Sequence, residues 1–405
     1  MDSQSSNTSD EAGLQIKQLG DLVTQAFTNL KHKHESQRTT NREAALVNDQ
    51  AVNSKGIHYD RLHSSLLPLL KEQLTTITTF LEPRALRREP EPRLGRVLEL
   101  LPELDSRISQ LDSAVRILCP ERLFIENQRD DHDLKEFKRF RLIDLEESFH
   151  QLHRDICSFL NTASEHIQQM ELSTVRLVVL DGPDDEVNDL QAASQQAFHS
   201  IDYMIKHFEG SELDVAEDRR AYAVADIDQL LKNTLSIVTP NAPKSSPSQR
   251  KLMCPRAIQL TLLIIPIIKL FKLFFKKLSK DGLNMNPKRL KLPKFRQMNS
   301  IQLDSLSRSA GMIRGGLSSL VHLLTQADPA TLEGPCSAPR YLFFAGVVER
   351  LPPNFEPALL SVVLHLIPLI DHPSDQKYYQ NWFINWNILI NTAIHNFLQL
   401  ARNLY

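Results

Sequence analysis

Glu147 and His150 stand three residues apart in "EESFHQLHRD", with His153 and Asp155 close behind. A Glu-x-x-His step puts two metal ligands on one helix face, because residues three apart are neighbours on a helix surface. Di-iron bundles use that step twice and add a glutamate from each of two further helices. No second Glu-x-x-His occurs in the chain, so the expectation is an amphipathic helix edge with exposed histidines and no metal. His32 and His34 in "KHKHES" make a thinner ligand set still. There is no Gly-Lys-Ser phosphate loop, Gly-x-Gly-x-x-Gly, Gly-x-Ser-x-Gly or His-Glu-x-x-His. Gly311, Gly315 and Gly316 fall inside a helical stripe, where they favour close helix contact over phosphate binding. The residue types therefore point to a chain that is not an enzyme, with no catalytic residue and no cofactor.

The loudest signal lies elsewhere, in "AIQLTLLIIPIIKLFKLFFKKLSK", residues 257–280. Its uncharged run, Ala257 to Ile268, is 12 residues, short of the roughly 20 that span a bilayer. At 100° per residue Lys269, Lys272, Lys276, Lys277 and Lys280 share one arc. Leu270, Phe271, Phe274, Phe275 and Leu278 share the opposite one, with Leu273 among the lysines. A bundle helix with a buried apolar side and solvated lysines shows this pattern. A helix lying on an anionic membrane, or filling a partner's groove, shows it too. The bundle reading is preferred because a core satisfies the rings without a second phase. Lys288, Arg289 and Lys291 follow in a basic connector, and with Lys276-Lys277 they have the spacing of a bipartite nuclear-import signal. These eight cations are the candidate partner- or surface-binding residues. Nucleic acid is not expected, since Phe295 alone makes no stacking platform.

The elements that must position these residues read as helices. Glycine is scarce, 12 in 405 residues, too few for many tight turns or phosphate loops. Cys119, Cys157, Cys254 and Cys336 lie far apart, the pattern of reduced thiols. Ile16, Leu19, Val23, Ala26 and Leu30 make one three-four stripe, and Leu66, Leu70, Leu74, Ile77 and Leu81 another. A third runs through Val97, Leu101, Leu104, Ile108, Leu111, Val115 and Leu118, with Pro102 expected to kink or start it. Further helices are predicted over 134–171, 185–208 and "AYAVADIDQLLKNTLSIV". A fourth stripe comprises Leu303, Leu306, Ala310, Ile313, Leu317, Leu320 and Leu324. Shorter helices near 340–351 and 356–371 precede the last one, which carries Trp382 and Trp386, both expected to be largely buried.

"TPNAPKSSPSQRK", 239–251, is the best linker. The expected architecture is all-α, two antiparallel helical bundles: a disordered tip 1–12, an acidic bundle 13–238, the linker, and a basic bundle 252–405. The net charge of −2 hides an imbalance: residues 251–405 hold 18 Lys and Arg against 8 Asp and Glu, and 1–250 hold 29 against 41. Opposed halves attract each other or meet different partners. The polar start lacks the apolar run of a signal peptide, so a cytoplasmic or nuclear location is expected.

"LIIPIIKLFKLFFKKLSK", then "MNSIQLDSLSRSAG", then "NWFINWNILINTAIHNFLQLAR" resemble, in that order, a set of uncharacterised helical proteins expanded in rust fungi. The resemblance covers about 253–405. Those proteins in turn look distantly like the cyclin-D-binding protein family, two helical bundles that regulate the cell cycle and transcription by binding other proteins. What this implies is an adaptor or regulatory protein whose partner is another protein. The alternatives are a peripheral membrane protein using helix 267–280 and a metal-binding bundle enzyme built on Glu147, His150 and His153.

Overall fold

Apolar residues at three-four spacing leave water only on a helix packed against others, and the stripes run in helices. The computed structural model describes residues 4–40, 51–119, 130–175, 186–239, 252, 254–279, 282, 297–326 and 340–404. Among the described residues there is no strand, and the fold is all-α. The chain divides into two compact units, residues 1–127 with 141–209, and residues 128–140 with 210–405.

The first unit comprises α1 (Gln4–Thr40), α2 (Ala51–Arg61), α3 (Leu67–Phe80), α4 (Pro83–Arg88), α5 (Pro90–Leu118), α6 (Arg139–Gln169, from Arg141 on) and α7 (Glu186–Glu209). α5 packs on α1, α2 and α3, and α3 also on α7. Both expected stripes there, Leu66 to Leu81 and Val97 to Leu118, are buried throughout. In α1 the core is Val23, Phe27 and Leu30, while Ile16, Leu19 and Ala26 are only partly covered. α1 starts at Gln4 and so takes in most of the tip expected to be irregular, since extending a nucleated helix costs little per residue. Pro102 neither starts nor ends α5; Pro90 in its first turn does the starting, where a missing N–H leaves nothing unpaired.

A π-helical turn, Leu62–Leu66, joins α2 to α3. It ends two residues before Pro68, and the same arrangement recurs at Val362–Leu366 before Pro368. In both places a proline removes an N–H from the ladder, and the wider turn absorbs the gap.

α1 docks on the turn after α6. A Cβ on Gly20 would stand 1.7 Å from the Leu172 carbonyl oxygen, so only glycine permits that approach. Beside it the Asp21 carboxylate accepts from the Ser173 hydroxyl at 2.5 Å and from the Thr174 amide and hydroxyl at 2.8 and 2.7 Å. Burial pushes this carboxyl up, but those hydrogen bonds outweigh it and hold the group below its ordinary value.

His34 and His166 of this unit are both buried. His166 Nε2 lies 3.0 Å from the Leu81 carbonyl, and His34 Nε2 3.0 Å from Asp105 Oδ1. Burial pushes both rings below the usual 6.5. Against it work the Leu81 carbonyl on His166, with Arg87 adding to the lowering, and Asp105 and Asp112 on His34, with Lys33 adding to the lowering. As pH falls through about 6.5, the unfolded chain takes up these protons before the folded chain does, so stability falls. Thermal melts at pH 7.5 and 5.5 are expected to show a lower midpoint at pH 5.5. His166→Gln, whose amide still donates to Leu81, should narrow that gap; an unchanged gap would remove His166 from the account.

The second unit holds α8 (Glu212–Val238), α9 (Pro255–Leu278), α10 (Ser300–Gln326), α11 (Arg340–Val348), α12 (Leu351–Ser361) and α13 (Pro373–Leu404). α10 touches α8, α9, α11 and α12, and α13 lies on α9 and α11. The stripe from Leu303 to Leu324 is wholly buried. The division at Glu209/Gly210 places α8 in this unit, whereas the sequence reading puts 13–238 in the first. The cause is packing: Val215, Ala216, Ile227 and Leu231 join one core with α9, α10, α12 and α13. A capping box, Ser211 with Asp214, starts α8 at that boundary. The linker 239–251 lies outside the described residues, Thr239 apart.

Residues 130–140 enter this core. Lys138 and Glu212, both 0 % exposed, form an ion pair at 2.7 Å, and Lys138 Nζ also donates to the Met298 carbonyl at 2.8 Å. The Asp131 carboxylate accepts from the Ser300 amide at 2.7 Å and the Arg139 amide at 2.9 Å. A carboxylate at the first turn of α10 satisfies donors the helix leaves unpaired. Asn299 and Gln302 complete that end by exchanging side-chain and backbone bonds at 3.0 Å.

Candidate functional site

α9 has the two faces its pattern predicts. Phe271, Phe274, Phe275 and Leu278 are buried, and Lys269, Lys276 and Leu273 are exposed. The rings join an aromatic cluster: Phe274 lies 4.4 Å from Trp386 and 5.9 Å from Phe383 between centroids, and Phe271 5.5 Å from Phe355. The Trp386 indole donates to the Leu270 carbonyl at 2.7 Å, which satisfies its N–H inside the core. Trp386 is buried as expected, but Trp382 is only partly covered, because its ring turns to the end of α9. By length and composition alone α9 could cross a membrane, with mean hydropathy 2.0 over its most apolar 18 residues; half of that stretch is buried in the protein.

Of the candidate cations, the four that are described, Lys269, Lys272, Lys276 and Lys277, have different surroundings. Lys272 pairs with Asp228 of α8 at 2.7 Å, and Arg314 of α10 pairs with Asp226 at 2.8 Å. Acidic α8 thus meets part of the basic 251–405 stretch within one unit. Lys277 lies over three rings, 4.8 Å from the centroids of Tyr378 and Tyr379 and 5.5 Å from Trp382. Lys269 and Lys276 remain exposed on the outer arc. Lys280, Lys288, Arg289 and Lys291 lie outside the described residues.

The Glu147 step does not gather ligands. Glu147 is exposed and His150 half-buried, with His150 Nε2 3.9 Å from Glu146. Among the described residues no three His, Cys, Asp or Glu side chains converge as a metal site would need. His153 instead faces Cys157, one turn on, at 3.8 Å, in an open cleft shared with Lys31, Glu35 and Asn161. Cys119 is buried, donates to the Leu142 carbonyl, and has its thiol pushed up by burial, which makes it a poor nucleophile. Of the three glycines in α10 only Gly316 is at a close contact, 2.9 Å from Leu351 Cδ2 for an added Cβ.

Sequence reasoning missed the outer face of α13. From Tyr378 to Ala401 there is no Asp, Glu, Lys or Arg. Ile384, Ile388 and Leu389 are 57 %, 58 % and 55 % exposed, among exposed Asn381, Asn385, Asn391, Thr392 and Asn396. The signal was legible as a charge-free run with apolar residues on both sides of the helix.

Residues 55–209 match a family model described as a domain of unknown function (DUF8723), and residues 211–399 match another, also a domain of unknown function (DUF8721). The two matched spans meet where the compact units divide. No curated protein and no solved structure matches the chain.

Proposed function

We propose that this is a non-enzymatic protein-interaction protein whose second unit docks another protein through the outer face of α13. The observation that carries the reading is the uncharged face itself, with Ile384, Ile388 and Leu389 more than half exposed. Core positions of interfaces are depleted of charge and carry large apolar side chains. A charged partner helix would bury unpaired charge against this face, so the partner surface is apolar with amides or hydroxyls at its margin. The rust-fungal resemblance of 253–405, and the more distant one to cyclin-D-binding proteins, supports an adaptor or regulator with a cell-cycle or transcriptional setting, in the cytoplasm or nucleus.

The length and apolarity of α9 favour a second reading, a peripheral membrane protein using 267–280. Against it stands the burial of Phe271, Phe274 and Phe275, which an inserting helix would need outside the core. The test is capture from native extract with the wild-type chain and with Ile384→Asp/Ile388→Asp, beside cosedimentation with anionic liposomes. The variant should keep its melting temperature, since exposed sites shift stability by about 0.5 kcal/mol or less, and lose its partner by about tenfold or more. Equal capture by both chains, or liposome binding that the variant retains, would overturn the proposal.

A further inference from the structure

Three aromatic rings converging on one ammonium are more than a lysine needs to stay folded over a helix. Tyr378, Tyr379 and Trp382 lie on one side of the first turns of α13, at positions i, i+1 and i+4. They surround the Nζ of Lys277 at 4.8, 4.8 and 5.5 Å from their centroids. The Tyr378 hydroxyl is 3.3 Å from the same nitrogen. The Tyr378 and Tyr379 rings cross at 75°, and Trp382 is braced edge-on against buried Phe383 at 84°. Tyr379 is tied from behind, its hydroxyl donating to the Gly282 carbonyl at 3.2 Å. Gly282 packs so tightly on the end of α9 that an added Cβ would stand 2.1 Å from the Lys277 carbonyl oxygen. The site therefore combines the negative faces of three rings with the carbonyl end of a helix, and both favour a cation. It is open to solvent, since Tyr378 is 54 % exposed and Lys277 only half-buried.

We propose that Tyr378, Tyr379 and Trp382 form a binding cage for a methylated lysine side chain of another protein, which Lys277 fills in its absence. The occupant already on site is a lysine, so the cage accepts that side chain's stem and charge together. Methylation spreads the ammonium's charge over apolar surface and weakens its hold on water, which is why aromatic cages select methylated ammonium groups. Lys277 then acts as a tethered competitor: the ligand binds only the fraction of molecules whose cage is vacated, and its apparent affinity falls by that fraction.

The probe is a short neutral peptide carrying one trimethyl-lysine, with its unmethylated twin, titrated into the full chain and followed by tryptophan emission and calorimetry. Lys277→Ala should bind the trimethylated peptide about tenfold more tightly than the wild type does, and about tenfold more tightly than it binds the twin. Adding Tyr378→Ala, an exposed position that leaves the core intact, should abolish the gain; Trp382→Ala should do the same if the melt shows it folded. Failure of Lys277→Ala to bind, or equal binding of the two peptides, overturns the cage. Tetramethylammonium binding more tightly than the peptide overturns the assignment to a lysine. None of these outcomes depends on the Ile384–Leu389 face.

Discussion

Phe274→Ala is expected to destabilise the second unit by about 3–5 kcal/mol, the usual range for emptying a buried phenylalanine site. The ring is fully buried and touches Phe275, Phe383 and Trp386, so its loss leaves a cavity lined by rigid rings that close poorly over it. Both tryptophans of the chain, Trp382 and Trp386, belong to this unit, so their emission during urea unfolding reports it selectively. Lys276→Gln on the opposite arc should move the same transition by less than about 0.5 kcal/mol. A Phe274→Ala chain as stable as the wild type would mean that α9 is not a core helix.

Lys138→Met should cost a similar amount, about 3–5 kcal/mol, for a different reason. The variant keeps hydrophobic bulk but takes the Lys138 cation away from the buried Glu212 carboxylate, and removing one partner of a buried pair is strongly destabilising. The Met298 carbonyl also loses the donor that reaches it at 2.8 Å. Lys138→Met/Glu212→Leu removes both charges and should recover most of the loss, because a buried pair is often no better than apolar residues of like volume. A single-variant loss below about 1 kcal/mol would show that Glu212 does not depend on Lys138.

The helices were legible because burial leaves its period in the sequence. Every residue of the stripes Val97–Leu118 and Leu303–Leu324 is buried, and α9 shows the faces its wheel gives. Periodicity says which side of a helix is buried but not against what, and there the sequence reading falls short. α8 has an ordinary stripe, and only its packing with α9 and α10 assigns it to the second unit. The segment 130–140 is polar, and nothing local marks that Lys138 and Asp131 reach residues about 160 positions on. The lysines of α9 look equivalent on a wheel, yet Asp228 holds Lys272 and rings a hundred residues away surround Lys277. Trp382 was expected in the core because tryptophan carries a large apolar area; its place over an ammonium uses the other property of the ring.

The central claim is contact through the outer face of α13, and hydrogen exchange along that helix tests it most directly. The full chain is compared alone and in complex with the protein that wild type captures and Ile384→Asp/Ile388→Asp does not. Slowed exchange in the complex is predicted over 381–396, with α10 unchanged because its stripe is already buried in both states. Protection confined to the lysine-bearing stretch 269–291, with 381–396 exchanging as it does in the free chain, would contradict the account.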